Sequence, residues 1–86
     1  MGHFVYIIYS ESIDKYYVGK TKSVQNRLKF HNSKLNKIWT KKGKPWILKT
    51  SFEFENSNLS SFAERFIKRQ KSKIFIEKII NEGWKG

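Results

Sequence analysis

FVYIIYSESIDKYYVG, residues 4–19, decides the fold. Phe4 to Tyr9 is an unbroken run of β-branched and aromatic residues, the composition of a strand buried on both faces. The polar stretch Ser10 to Lys15 interrupts it, and Tyr16 to Gly19 resumes the strand pattern, so the two runs fold back on each other as a hairpin. The first run is the most uniformly apolar segment of the chain. It belongs in the middle of an antiparallel sheet, with its hairpin partner on one side and residues 46–54 on the other.

Downstream of the hairpin, Ser23 has the character of an N-cap and opens a helix through about Leu35. Val24, Leu28, His31 and Leu35 fall on one face of it. NKIWTKKGKP, from Asn36 to Pro45, is a basic loop bent by Gly43 and Pro45. Trp46 to Phe54 reads as a third strand, whose alternation puts Trp46, Leu48, Thr50, Phe52 and Phe54 on one face. After the break at Asn56-Ser57-Asn58, a helix runs from about Leu59 to Lys71, capped by Asn58. Its inner stripe is Leu59, Phe62, Ala63, Phe66, Ile67 and Gln70. Ser72 caps a last short helix, KIFIEKII, that ends at Gly83. The expected class is α/β (α+β): a three-stranded antiparallel sheet covered by helices, in the order β-β-α-β-α-α, as a single domain over residues 1–86.

With 86 residues and 38% apolar content, the chain has room for one thin core, to which its aromatic residues contribute much of the volume. There is no cysteine, which excludes disulfides and cysteine-ligated zinc and is compatible with a reducing cytoplasm, the expected location. No apolar run approaches the roughly 20 residues that span a bilayer, and no membrane partner is expected. Eighteen Lys and Arg against seven Asp and Glu give a net charge of +11. A field of that sign attracts polyanions. The plain alternative is that these lysines are solvated helix faces. The expected partner is nucleic acid, DNA before RNA, bound by a monomer or weak dimer.

The chemistry-bearing residues gather around the hairpin. Val5-Tyr6-Ile7 and Tyr17-Val18-Gly19 lie on its two strands with nine residues between them, and the helix that follows carries Arg27 and, one turn later, His31. Each motif alone is ordinary strand or helix text. Their order and spacing together resemble the GIY-YIG endonuclease superfamily, in its small single-domain members, over nearly all of the chain.

The resemblance implies a metal-dependent phosphodiesterase with Tyr6, Tyr17, Arg27, His31 and Glu64 as its catalytic residues. Glu64, within Ala63-Glu64-Arg65-Phe66, is the implied ligand of one Mg²⁺ or Mn²⁺. Arg27 offers a planar fork matched to phosphate oxygens. Tyr6 would act as general base, relayed through His31 or Tyr17, once neighbouring cations and a metal-bound water bring its phenol into range. Val5 replaces the first glycine of the family motif. In the last helix, Ile76 stands about where several members carry a phosphate-contacting asparagine, and Asn81 is out of step with it.

Plain structural roles compete for each residue. Tyr6 and Tyr17 are also suitable cross-strand aromatics, Arg27 a solvated charge, and His31 a buried, hydrogen-bonded core histidine. Ser61-x-x-Glu64 fits a capping box, although a helix capped at Asn58 leaves Glu64 on a flank shared with Lys68 and Lys71. Glu53 and Glu55 are a rival metal pair. Lys34, Lys37, Lys41, Lys42 and Lys44 surround Trp39 and Trp46, a mixture suited to backbone contact and base stacking. Lys20 and Lys22, just after the second motif, should also face nucleic acid, as should Lys68 and Lys71. A non-catalytic nucleic-acid-binding domain on the same scaffold, or a small RNA-binding protein with aromatics across an open sheet face, remain alternatives.

Overall fold

The hairpin strands, β1 (His3–Ser10) and β2 (Lys15–Thr21), pair antiparallel from Phe4 opposite Thr21 to Ser10 opposite Lys15. A computed structural model describes residues 2–84. After the hairpin come α1 (Val24–His31), a 3₁₀ turn over Trp39–Gly43, β3 (Trp46–Phe54), α2 (Ser57–Gln70) and α3 (Lys73–Glu82). The sheet is three-stranded and antiparallel in the order β2-β1-β3. β1 is therefore central, and Val5, Tyr6, Ile7 and Ile8 along it are all buried.

Because side chains alternate across a strand, β1 feeds two cores. Val5 and Ile7, with Val18 of β2, pack against Ala63 and Ile67 of α2 and Ile79 of α3. Tyr6 and Ile8 face the other way, against Trp46, with Val24 and Leu28 of α1 closing over them. Both sheet faces are thus covered by helix. Asp14, in a left-handed conformation at the hairpin turn (φ 52°), accepts from Lys73 Nζ at 2.6 Å and from the Tyr9 hydroxyl, tying the hairpin to α3. Asp is among the few residues that take this conformation readily.

Three expectations from the sequence need correction. The first is the single apolar face of β3. Ile7 faces Thr50 but Ile8 faces Leu48, so Lys49 is an extra residue in the ladder, a β-bulge. A one-residue insertion swaps the faces of everything beyond it. Thr50, Phe52 and Phe54 therefore lie on the Val5 and Ile7 side, while Trp46 and Leu48 lie on the Tyr6 and Ile8 side.

The second is the length of α1, which stops at His31 and leaves Leu35 77% exposed. Asn32 ends it. Its Nδ2 donates to the Trp46 carbonyl at 3.1 Å, and its Oδ1 accepts from the Trp46 N–H at 2.6 Å. Two hydrogen bonds of about 1 kcal/mol each clamp the start of β3 to the end of α1, and another helical turn would break them.

The third is the start and inner face of α2. Asn56, not Asn58, is the N-cap, its side chain accepting from the Leu59 N–H at 2.9 Å. The buried stripe is Ser60, Ala63 and Ile67, while Leu59, Phe62 and Phe66 are exposed. Small side chains let the helix settle closely onto the sheet, which rotates the larger ones outward. Glu64, four residues after Ser60, comes round to the inner side. The last helix is as the sequence anticipates: Ser72 accepts from Phe75 N–H at 3.1 Å, and Gly83 ends it at φ 86°.

Candidate active site

Tyr6 projects from the centre of β1 toward α1, and directly across the ladder from it stands Gly19. A β-carbon at Gly19 would come within 2.6 Å of the Tyr6 hydroxyl and 2.9 Å of the Tyr17 ring. The glycine of the second motif is therefore required by space: its missing side chain is where the two tyrosines meet. Their ring centroids lie 6.1 Å apart.

The helix histidine completes this cluster. The Tyr6 hydroxyl and His31 Nε2 are 2.8 Å apart, and the His31 ring lies 4.8 Å from that of Tyr17. His31 is fully buried, and burial, reinforced by the positive charge of Arg27, pushes its pKa down to about 4. It is a neutral imidazole at neutral pH. Arg27, one turn earlier, lies over the Phe30 ring at 4.5 Å and bears on the Tyr6 hydroxyl both as a hydrogen-bond donor and as a charge.

Burial dominates at Tyr6 and pushes its phenol up to about 12, with Arg27 pulling against it and Tyr17 and Glu64 pushing further up. The protein's own cations thus lower the phenol only partway, short of the range the sequence reading anticipates for a base. Glu64 is close enough to act on that phenol electrostatically, and its side chain is only 18% exposed. Lys68 Nζ lies 3.4 Å from the Glu64 carboxylate and 5.5 Å from the Tyr17 ring centroid, which places α2 against the same tyrosine. Tyr6, Tyr17, Arg27, His31 and Glu64 accordingly converge.

The capping-box role for Glu64 is absent, because Asn56 caps the helix and Ser61 instead accepts from Lys20 Nζ. Glu53 and Glu55 are exposed on or just beyond the far edge strand, β3. Among the described residues no cluster of three or more His, Asp or Glu side chains could hold a metal ion. A half-buried carboxylate beside the tyrosines is instead a donor set for one hard cation that keeps most of its own waters. Glu64 would hold it, and Lys68 is the positive charge it would meet there. Ile76 packs against the core and Asn81 is exposed, so neither supplies a second polar group at the tyrosines.

A groove of about 530 Å³ opens beside Tyr17, lined also by Lys15, Trp39, Lys68, Lys71 and Ile76. Trp39, 47% exposed, stands edge-on to Tyr17 and Trp46 at 5.8 and 5.9 Å. Lys41 and Lys42 are exposed on the same 3₁₀ turn, and Lys34 is exposed before it. Lys44 is turned inward, donating to the Ser33 carbonyl at 3.2 Å. Lys20 and Lys22 line a separate groove of about 270 Å³ at the start of α2, with Ser57 and Ser60.

Two residues that the sequence reading passes over are built into the site. Thr40, fully buried, has its hydroxyl 2.9 Å from His31 Nδ1, and Trp46 Nε1 holds its carbonyl at 2.6 Å. Asn36 Nδ2 donates to the Thr40 hydroxyl at 2.8 Å. Their only trace in the sequence is two small polar residues, four apart, in a loop otherwise rich in lysine.

Among known proteins, the model of the family described as the GIY-YIG catalytic domain matches residues 2–79. No curated protein and no solved structure matches the chain.

Proposed function

The chain belongs to the GIY-YIG catalytic-domain family, and from that premise we propose that it is a metal-dependent endonuclease hydrolysing phosphodiester bonds in DNA. The observation that carries this reading is the convergence of Tyr6, Tyr17, Arg27, His31 and Glu64 beside a lysine-lined groove. What favours catalysis over binding alone is that Arg27 and Glu64 both act on the Tyr6 phenol from two different helices. An RNA-binding sheet needs aromatics spread over an open face, and here both faces carry helices.

Hydrolysis needs a proton acceptor for the attacking water, positive charge on the phosphate, and a fixed geometry for both. Arg27 supplies a fork for two phosphate oxygens, oriented by its stacking on Phe30. Tyr6 takes the water's proton as a phenolate, and Arg27 already works against burial to make that form available. Neutral His31 holds the Tyr6 oxygen in place. A divalent cation on Glu64 would supply further positive charge where the phosphate becomes more negative. The exposed lysines contact backbone phosphate, and Trp39 offers a ring edge and face to an unstacked base. These groups read backbone and shape, so the substrate is selected by structure, or not at all, before sequence. Absence of cysteine suits work in the cytoplasm. Among the described residues no helix is long and apolar enough to cross a membrane.

The test is a cleavage assay over labelled single-stranded, duplex, branched and damaged DNA and matching RNA, with and without Mg²⁺. Mg²⁺-dependent DNA products support the reading. Binding without cleavage in every arm would reduce the protein to a binding domain.

A further inference from the structure

The hydrogen-bond donors around His31 form a chain whose direction can be read from its far end. Asn36 is buried, its Oδ1 accepts from the Ile38 N–H at 3.0 Å, and its Nδ2 donates to the His31 carbonyl at 2.9 Å. Those two backbone groups permit only one orientation of the amide, since an N–H cannot accept and a carbonyl cannot donate. The second Nδ2 hydrogen therefore points at the Thr40 hydroxyl, 2.8 Å away, and Thr40 accepts it. Thr40 has one hydrogen of its own and is fully buried. The other polar side-chain atom bonded to its hydroxyl is His31 Nδ1, at 2.9 Å.

We propose that Asn36 and Thr40 lock His31 in the tautomer with hydrogen on Nε2, so that the imidazole donates to the Tyr6 oxygen and turns the Tyr6 hydrogen away from itself. Thr40 gives its hydrogen to Nδ1, which must then present a lone pair, and the ring hydrogen sits on Nε2, 2.8 Å from Tyr6. The opposite tautomer would give the Thr40 oxygen two incoming hydrogens and leave its own unpaired in a buried site. That shortfall biases the equilibrium by a factor of about 10 or more. With Nε2 occupied, His31 has no lone pair on that side to receive the phenol's proton. Tyr6 instead turns its hydrogen to the side of Tyr17 and Glu64, whose oxygens can accept it, while its own oxygen takes hydrogens from neutral His31 and from Arg27. Thr40 and Asn36 are positioning residues that act through His31. The consequence for cleavage rests on the nuclease reading, whereas the tautomer does not.

The experiment is a long-range ¹H–¹⁵N correlation spectrum of the full chain at neutral pH, in a His3→Gln background that leaves His31 as the one histidine. The expected result is a pyrrole-type Nε2 and a pyridine-type Nδ1. Thr40→Val should release the lock and give the other tautomer or a mixture, and Thr40→Ser should keep it. In cleavage, Thr40→Val should lower kcat about 10- to 100-fold with KM unchanged, and Thr40→Ser should restore it. Hydrogen on Nδ1, or a mixture, in the protein with Thr40 intact overturns the proposal. So does a folded Thr40→Val protein with an unaltered spectrum. If Thr40→Val does not fold, the spectrum with Thr40 intact decides. If the protein cleaves nothing, the nuclease reading falls while the tautomer is still measured.

Discussion

Consider the chain titrated from pH 7 toward pH 4. His31 is fully buried, and burial, with Arg27 adding to it, takes its pKa from 6.5 to about 4. In the unfolded chain the same imidazole takes a proton near its ordinary value. Between the two values the unfolded state holds more protons, so stability must fall as pH falls and is regained as pH rises. The displacement corresponds to about 3 kcal/mol, a large share of the roughly 5–15 kcal/mol that holds a typical domain folded. Urea unfolding at steps between pH 7 and 4.5 measures it. The midpoint should drop through this window, whereas His31→Gln, which cannot titrate, should be less stable at pH 7 but nearly flat across it. Asp14 makes a separable contribution. Lys73 first, and the Tyr9 hydroxyl second, hold its carboxyl below the usual range, so its contribution is lost only at more acidic pH. Equal declines in the native and His31→Gln proteins between pH 6.5 and 4.5 would refute the argument.

Gly19→Ala should displace the tyrosines, since its β-carbon would meet the Tyr6 hydroxyl at 2.6 Å with Tyr6 buried and unable to give. A loss of about 1–3 kcal/mol in thermal unfolding, together with lost cleavage, is expected; an unchanged melt contradicts the packing. With a net charge of +11, affinity for DNA should fall steeply from low to high NaCl, and a flat dependence would remove nucleic acid as the partner. Trp39→Ala should weaken single-stranded DNA binding by about 1–3 kcal/mol per stacked base and duplex binding less, as read by fluorescence anisotropy; equal losses on both would deny stacking.

The hairpin was legible because its information is local: an apolar run, a polar turn and a second run define β1, β2 and the pairing between them. The site residues on it were legible because their order is fixed along one stretch of chain. What hid from the sequence was set by contacts between distant segments. Nothing in Trp46-Ile47-Leu48-Lys49-Thr50 marks the bulge, which exists because Trp46 must face α1 while Phe52 and Phe54 face α2 and α3. Leu35 continues the helical period of α1, yet Asn32 is drawn off to hold β3. In α2 the bulky Leu59, Phe62 and Phe66 outweigh Ser60 and Ala63 in any hydrophobic reading, although close approach to the sheet selects the smaller pair. That rotation also brings Glu64 inward, a better basis for its role than the sequence offers. Asn36 and Thr40 leave no more than two small polar letters in a lysine-rich loop, because their meaning lies in where His31 points.

The central claim is that Glu64 serves a reaction beyond packing, and the direct measurement is cleavage by Glu64→Ala alongside its DNA affinity and its melt. The Glu64–Lys68 pair contributes about 0.5 kcal/mol at most, so the variant should fold. Mg²⁺-dependent cleavage should disappear while DNA binding stays intact or tightens slightly, because the negative charge paired with Lys68 is gone from a strongly basic protein. Undiminished cleavage by well-folded Glu64→Ala protein would contradict the account.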